Sequence, residues 1–224
     1  MRLDTLSALN AERAARRAAL IVTDPGDGSQ RLVRAAAIDA DPLGPLLRER
    51  LRSGRSGLVE GQDGRPVFVA VHAPPVRFVV VGAVHISQAL VPLAGQLGLD
   101  LTVIDPRTAF ASPERFPGVR LIAECPDKAL EEIGPLDAYT ALAALTHDPK
   151  IDDPALVAAL RADCAYIGAL GSRKTHARRI ERLTQAGFDA AAIGRIHAPI
   201  GLDIGAVSPA EIALSILAQL VATL

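Results

Sequence analysis

The segment Arg77-Phe78-Val79-Val80-Val81-Gly82 constrains the fold of this chain more than any other stretch. Its apolar residues do not alternate with polar ones. As a strand it must therefore be covered on both faces, the situation of a parallel sheet flanked by helices. The residues after it agree. Residues 85–97 show helical spacing through Ile86, Leu90, Leu93 and Leu97, and Gly98 is placed to end the helix. A second apolar run, Leu101 to Asp105, comes next and completes a βαβ unit.

The alternation then continues. Val119–Ala123 reads as a strand, Pro126–Ile133 as a short helix and Tyr139–Thr146 as a strand. Asp153 and Pro154 offer an N-cap and a first-turn proline for a helix to about residue 162. Ala165–Leu170 reads as a strand, and a helix from Ser172 to about Ala186 is stopped by Gly187. Ser208-Pro209-Ala210-Glu211 combines a capping box with proline at the first helical position, and Ile212, Ile216, Leu217, Leu220 and Val221 bury the last helix. Regular β–α alternation predicts an α/β fold, a Rossmann-like, doubly wound, mostly parallel sheet.

Ala73-Pro74-Pro75 stops any regular element and marks a domain boundary, giving residues 1–74 and 75–224. The first part reads as a small N-terminal α+β domain. It has a helix over residues 3–17, strands Ala19–Thr23 and Arg31–Ala36 around Pro25-Gly26-Asp27-Gly28, a helix near residues 43–52, and strands Gly57–Glu60 and Pro66–His72 around a polar turn.

Composition excludes several classes of function. Lys and Arg number 24 against 25 Asp and Glu, and aromatics are 3% with no Trp, so neither charge nor stacking surfaces point to nucleic acid. Two cysteines, Cys125 and Cys164, make neither a CxxC pair nor a disulfide scaffold. The apolar stretch Ile212–Leu224 is too short to span a bilayer, and the first residues lack the apolar core of a signal peptide, so the expected address is cytoplasmic, with no membrane partner.

In open α/β sheets ligands sit beyond the carboxyl ends of the strands. The residues there are Gly82 and His85, then Asp105 and Arg107, then His147 and Asp148, then Gly168, Gly171, Ser172, Arg173 and Lys174, and finally His197, Gly201 and Asp203. The first turn keeps only the first glycine of a G-x-G-x-x-G fingerprint. Val84 and Ser87 stand at the other two positions, which weakens NAD(P) binding there, although Asp105 is spaced to hold a ribose. Gly171-Ser172-Arg173-Lys174 reads as an anion site at a helix N-terminus, or equally as a solvated charged face after a glycine turn. His147 and Asp148 suit an acid/base pair; with His85, His197 and Asp203 they leave a metal cluster open, but no HxH or HxxxH spacing supports one, and an ordinary polar loop is the plainer explanation. No catalytic nucleophile stands out, since G-x-S-x-G is absent.

Five strings in order resemble one family: Val81-Gly82-Ala83-Val84-His85-Ile86, Val103-Ile104-Asp105-Pro106-Arg107, Leu145-Thr146-His147-Asp148-Pro149-Lys150, Tyr166-Ile167-Gly168-Ala169-Leu170-Gly171-Ser172-Arg173, and Arg195 through Gly205. Over roughly residues 77–224 the chain resembles the xanthine dehydrogenase accessory factor family of the XdhC/CoxI type. The resemblance implies a protein that holds the molybdenum cofactor (a molybdopterin), allows its sulfuration by a cysteine desulfurase and delivers it to an apo molybdenum hydroxylase, acting as a homodimer and a chaperone rather than an enzyme. Two departures bear on this. Many members carry Gly-Ala-Gly-His where this chain has Gly82-Ala83-Val84-His85. Many also carry Gly-Gly-Cys in the N-terminal domain, where Gly54-Arg55-Ser56-Gly57 is the nearest stretch, so a thiol step at that place is not implied. An NAD(P)-dependent oxidoreductase, a metal-dependent hydrolase and a pure scaffold stay open as alternatives.

Overall fold

The computed structural model describes residues 2–61 and 64–224. The chain divides into two compact units, Met1–Pro74 and Pro75–Leu224. The first contains α1 (Leu3–Ala14), β1 (Ala19–Thr23), β2 (Gln30–Arg34), a 3-10 helix (Ala35–Ala40), α2 (Gly44–Ser53), β3 (Gly57–Glu60) and β4 (Pro66–His72). Its strands form an antiparallel sheet in the order β2-β1-β4-β3. β1 is covered on both faces. Leu20 and Val22 pack with Val33, Leu47 and Val69 on one side, and Ala19 and Ile21 pack with Leu9 of α1 on the other. Glu12, 3% exposed, bridges Arg17 and Arg34, whose hydrogen bonds at 2.6 and 2.8 Å hold its carboxyl down at about 2. The strand expected to run to Ala36 ends at Arg34 because Ala35 opens the 3-10 helix. The turn expected between β3 and β4 includes Gln62 and Asp63, which lie outside the described residues.

The second unit runs β5 (Arg77–Val81), α3 (His85–Gln96), β6 (Asp100–Ile104), β7 (Arg120–Ile122), α4 (Pro126–Ile133), β8 (Thr140–Ala144), α5 (Pro149–Arg161), β9 (Tyr166–Ala169), α6 (Arg173–Gln185), α7 (Ala190–Ile193), β10 (Ile196–His197) and α8 (Pro209–Thr223). Its six strands are all parallel, in the order β10-β9-β8-β5-β6-β7. Read from the other edge this is the Rossmann order, with the first strand of the unit at the centre. The apolar run of β5 explains why it sits there. Phe78 and Val80 pack under α3 and α8, while Val79 and Val81 pack under α4 and α5. Each such side chain contributes about 1.5–3 kcal/mol when taken out of water, and an edge strand would forfeit part of that. Pairing brings Val81 level with Ile104 on one side and Ala144 on the other, and Ala144 level with Ala169, so the carboxyl ends of four strands form one edge.

Two helix starts follow the sequence: Ser172 caps α6, and Ser208 and Glu211 form the capping box of α8. One differs. The helix expected to open at Asp153 and Pro154 begins a turn and more earlier, with Asp148 as its cap and Pro149 at its first position. Asp-Pro occurs at both 148–149 and 153–154, and the tertiary structure decides between them: Asp152 is buried in the first turn, where it accepts hydrogen bonds from the loop before the helix.

Gly82 closes the central strand at φ +117°, and a Cβ there would meet the Thr146 methyl at 2.9 Å and the Leu145–Thr146 backbone at 3.3 Å. Gly82→Ala is therefore expected to lower unfolding free energy by about 1–3 kcal/mol through strain and wedging at the β5–β8 junction. A urea titration followed by circular dichroism checks it; an unchanged midpoint would contradict the reading.

Candidate functional site

The order of strands reverses between β5 and β8, the place where open sheets of this kind leave a crevice for ligands. The turn after β5 is rigidly held. The Gly82 amide donates to the Ile104 carbonyl at 2.7 Å, and the buried Ser87 hydroxyl donates to the Gly82 carbonyl. Ser87, at the third glycine position of the fingerprint, thus ties α3 to the turn through its own hydroxyl. The Ala83 amide donates to Asp105 Oδ2 at 2.8 Å.

Asp105 corrects an expectation. It has no exposure to solvent, and its two oxygens also accept from the Arg107 amide (2.9 Å), Arg107 Nε (2.9 Å) and Nη2 (2.7 Å). A carboxylate with four donors on it is not available to a ribose or a pterin edge. Arg107 lies over the Phe110 ring at 4.5 Å, fixed from its other side. Burial by itself raises the Asp105 carboxyl, but the hydrogen bonds from Arg107 and Ala83 outweigh it and hold the group below the usual carboxylate range.

After β8, the Thr146 amide and hydroxyl donate to Asp152 Oδ1 at 3.2 and 2.6 Å, and the His147 amide donates to Oδ2 at 3.1 Å. Burial pushes the Asp152 carboxyl up, against these bonds and the charge of Arg179. His147 sits at φ +65° with its ring exposed. Asp148 is the second correction: its carboxylate accepts from the Lys150 amide at 2.9 Å as the cap of α5, and no hydrogen bond joins it to the His147 ring among the described residues.

After β9 the glycines have packing duties. A Cβ on Gly168 would lie 2.5 Å from Ile200 and 2.7 Å from the Tyr166 hydroxyl, so this glycine makes room for the loop after β10 rather than for a ligand. Gly171 lies against Thr175, beside the His147 ring. Ser172 Oγ accepts from the Thr175 amide at 3.2 Å, and Arg173 and Lys174 are exposed on the first turn of α6. The amides of Arg173 and Lys174 have no acceptor among the described residues.

His197 stacks on Tyr166 with ring centres 5.0 Å apart, and burial lowers its pKa. Gly201 is bound through both backbone groups to Gln219, at 2.9 and 3.2 Å, and the Tyr166 hydroxyl donates to the same amide oxygen at 2.8 Å. At φ +93°, with a Cβ position 2.3 Å from Ser215 Oγ, Gly201 is a structural glycine. Asp203 and His85 are exposed. Among the described residues no three His, Cys, Asp or Glu side chains gather to hold a metal ion, so the histidine cluster left open by the sequence is not assembled. Cys125 is exposed at the start of α4, and burial pushes the Cys164 thiol up to about 12.

Three residues of this edge were not singled out from the sequence: Asp152, Arg179 and Gln219. Arg179 is 2% exposed; its Nη2 donates to the Leu170 carbonyl at 3.0 Å, while its Nε and Nη1 have no partner among the described residues. Its signal was spacing: Arg179 lies one turn before Leu183 on the inward face of α6.

A six-stranded parallel sheet in this order, with its loops gathered at one edge, defines a Rossmann-type domain. Residues 78–220 match the XdhC Rossmann domain, and the chain belongs to that family. It is 35% identical over 158 residues to the uncharacterized protein YqeB of Escherichia coli K12, covering 69% of this chain and 28% of that one. It is 32% identical over 146 residues to the molybdenum cofactor insertion chaperone PaoD of the same organism (65% and 39%), and 30% identical over 158 residues to a probable xanthine dehydrogenase subunit of Bacillus subtilis 168 (70% and 46%). The matches span less than half the length of each relative. A crystal structure titled as a xanthine dehydrogenase from Bacillus halodurans shares the fold with a TM-score of 0.65 at 21% identity, over 98% of this chain and 63% of that chain. No helix is long and apolar enough to cross a membrane among the described residues.

The Asp105 geometry sets an acid-side signature. A carboxyl held low in the folded state adds stability that is present above its unfolded pKa of about 3.9 and lost as pH falls through the folded value. Asp105→Asn is expected to cost about 2 kcal/mol near neutral pH, less than a fully buried pair because Arg107 is partly exposed, with the difference from wild type shrinking below about pH 4. Chemical denaturation at a series of pH values measures it; a difference that grows toward acid would contradict the assignment.

Proposed function

We propose that this chain is an accessory protein that binds the molybdenum cofactor at the carboxyl edge of its parallel sheet and helps its sulfuration and insertion into a molybdenum hydroxylase of the xanthine dehydrogenase or carbon monoxide dehydrogenase type. One observation carries the reading: the α6 N-terminus presents two amides without acceptors among the described residues, flanked by the exposed cations of Arg173 and Lys174. Unsatisfied amides and a helix dipole favour a phosphate. The cofactor's identity comes from family membership and the likeness to PaoD, named a molybdenum cofactor insertion chaperone.

In this reading Ser172, Arg173 and Lys174 hold the phosphate. His85 and His147, exposed beside the crevice, donate to oxo or sulfido groups, and Asp203 accepts from the amino edge of the pterin. The metal–sulfur chemistry belongs to the cofactor; the residues of this chain bind and orient it. Its partners are an apo molybdenum hydroxylase and a cysteine desulfurase, and it works as a cytoplasmic homodimer. Cys164 is not a sulfur carrier in this scheme, since its raised pKa keeps it a thiol. The alternative, an NAD(P)-dependent oxidoreductase, loses support at the first turn, where the acid that would hold a ribose is spent on Ala83 and Arg107.

Anaerobic titration with molybdenum cofactor, and with NADH and NADPH in parallel, tests the proposal. Saturable cofactor binding is expected, weakened about tenfold by Arg173→Ala and by Asp203→Asn, the loss of one charge-assisted contact each. Unchanged affinity in both variants, or nicotinamide binding in place of the cofactor, would overturn it.

A further inference from the structure

Between the first turns of α5 and α6 lies a cavity of about 310 Å³ whose lining includes His147, Thr175, Arg178, Arg179 and Arg182. Its electrostatics are unusual. Arg182 is neutralised by a bidentate pair with Asp153. Asp152 also lines the cavity, but its oxygens are taken by the Thr146 and His147 amides and the Thr146 hydroxyl. Arg178 is exposed and forms no ion pair among the described residues. Arg179 is 2% exposed, makes no carboxylate contact within ion-pair distance among the described residues, and leaves Nε and Nη1 without partners.

A buried guanidinium with two orphaned donor nitrogens is costly, and folded proteins retain such a group where something else completes it. The three cations of this lining outnumber its two carboxylates, both of which are already engaged. The first turn of α6 adds its partial positive charge, and Thr175 contributes a hydroxyl. The volume lies at the small end of ligand pockets, too small for a whole nucleotide-sized ligand but suited to an ion or the tip of a longer molecule.

We infer that this cavity is a phosphate site, with Arg179 at its buried wall and Arg178, His147 and Thr175 at its mouth. It adjoins the proposed cofactor edge and shares His147 with it, yet it does not depend on that reading. The same chemistry fits free inorganic phosphate and a phosphate monoester.

The test uses the full chain without cofactor, titrated with sodium phosphate at constant ionic strength, chloride serving as the matched control, with thermal unfolding as the readout. A saturable rise in Tm with phosphate and none with chloride is expected, because an anion that binds only the folded state stabilises it. Arg178→Ala, at an exposed position, is expected to weaken the apparent affinity about tenfold. Arg179→Met is expected to abolish the rise while leaving the phosphate-free protein folded, since it removes a buried charge together with its orphaned donors. Should that variant fail to fold, Arg178→Ala and Thr175→Val decide the matter. Glycerol phosphate separates the sources: protection equal to that of inorganic phosphate assigns the site to the end of a larger ligand, and protection by inorganic phosphate alone assigns it to the free ion. No phosphate-specific rise, or a rise unchanged in Arg178→Ala and Thr175→Val, would overturn the inference.

Discussion

The carboxylate of Asp105, shut away from solvent at the end of β6, fixes the geometry on which the carboxyl edge depends. It takes the Ala83 amide and so sets the path of the turn between β5 and α3; it takes the Arg107 amide and guanidinium and so sets the path of the chain leaving β6. Desolvating a carboxylate is expensive, and four donors are what make it tolerable. The consequence is chemical as well as structural. Where a dinucleotide-binding domain uses an acid in this region to hold a ribose, this chain uses it as an internal tie.

The positive side of the edge then lies on the far side of the switch point. Asp152 performs on the loop after β8 what Asp105 does after β6, collecting the Thr146 and His147 amides and starting α5 early. That brings the first turns of α5 and α6 together around His147 and Thr175, with Arg178 and Arg179 behind them. The two buried aspartates satisfy loop amides, while the Arg173 and Lys174 amides in the first turn of α6 and the Arg179 guanidinium keep donors without acceptors among the described residues.

Much of this was legible in the sequence. The unbroken apolar run of β5 announced a strand buried on both faces, and its place at the centre of the sheet follows from that. Ser172 and Ser208 announced two helix starts because a cap is a local interaction between residues three apart. The start of α5 was not legible: Asp148-Pro149 and Asp153-Pro154 carry the same local signal, and the choice rests on Asp152 reaching the Thr146 amide in the folded chain. The site residues divide along the same line. The positions after the strands do gather at the carboxyl edge of the sheet, but whether a side chain faces outward or into the protein depends on partners distant in sequence. Asp105 ties the Ala83 and Arg107 segments together by hydrogen bonds, Gly168 makes room for Ile200, and Gly201 is held by Gln219, 18 residues on. Burial sets Arg179 apart from the exposed Arg178 beside it, a difference that the packing of α6 makes and the local sequence does not carry.

Whether the molybdenum cofactor seats at this edge is tested most directly by hydrogen exchange read by mass spectrometry, with and without the cofactor under anaerobic conditions. The amides of Arg173 and Lys174 have no acceptor among the described residues and should report an arriving phosphate. Cofactor seated there predicts slowed exchange in the segments after β8 and β9, including His147 and the first turn of α6. Protection confined to the N-terminal unit, or none at the start of α6, would contradict it.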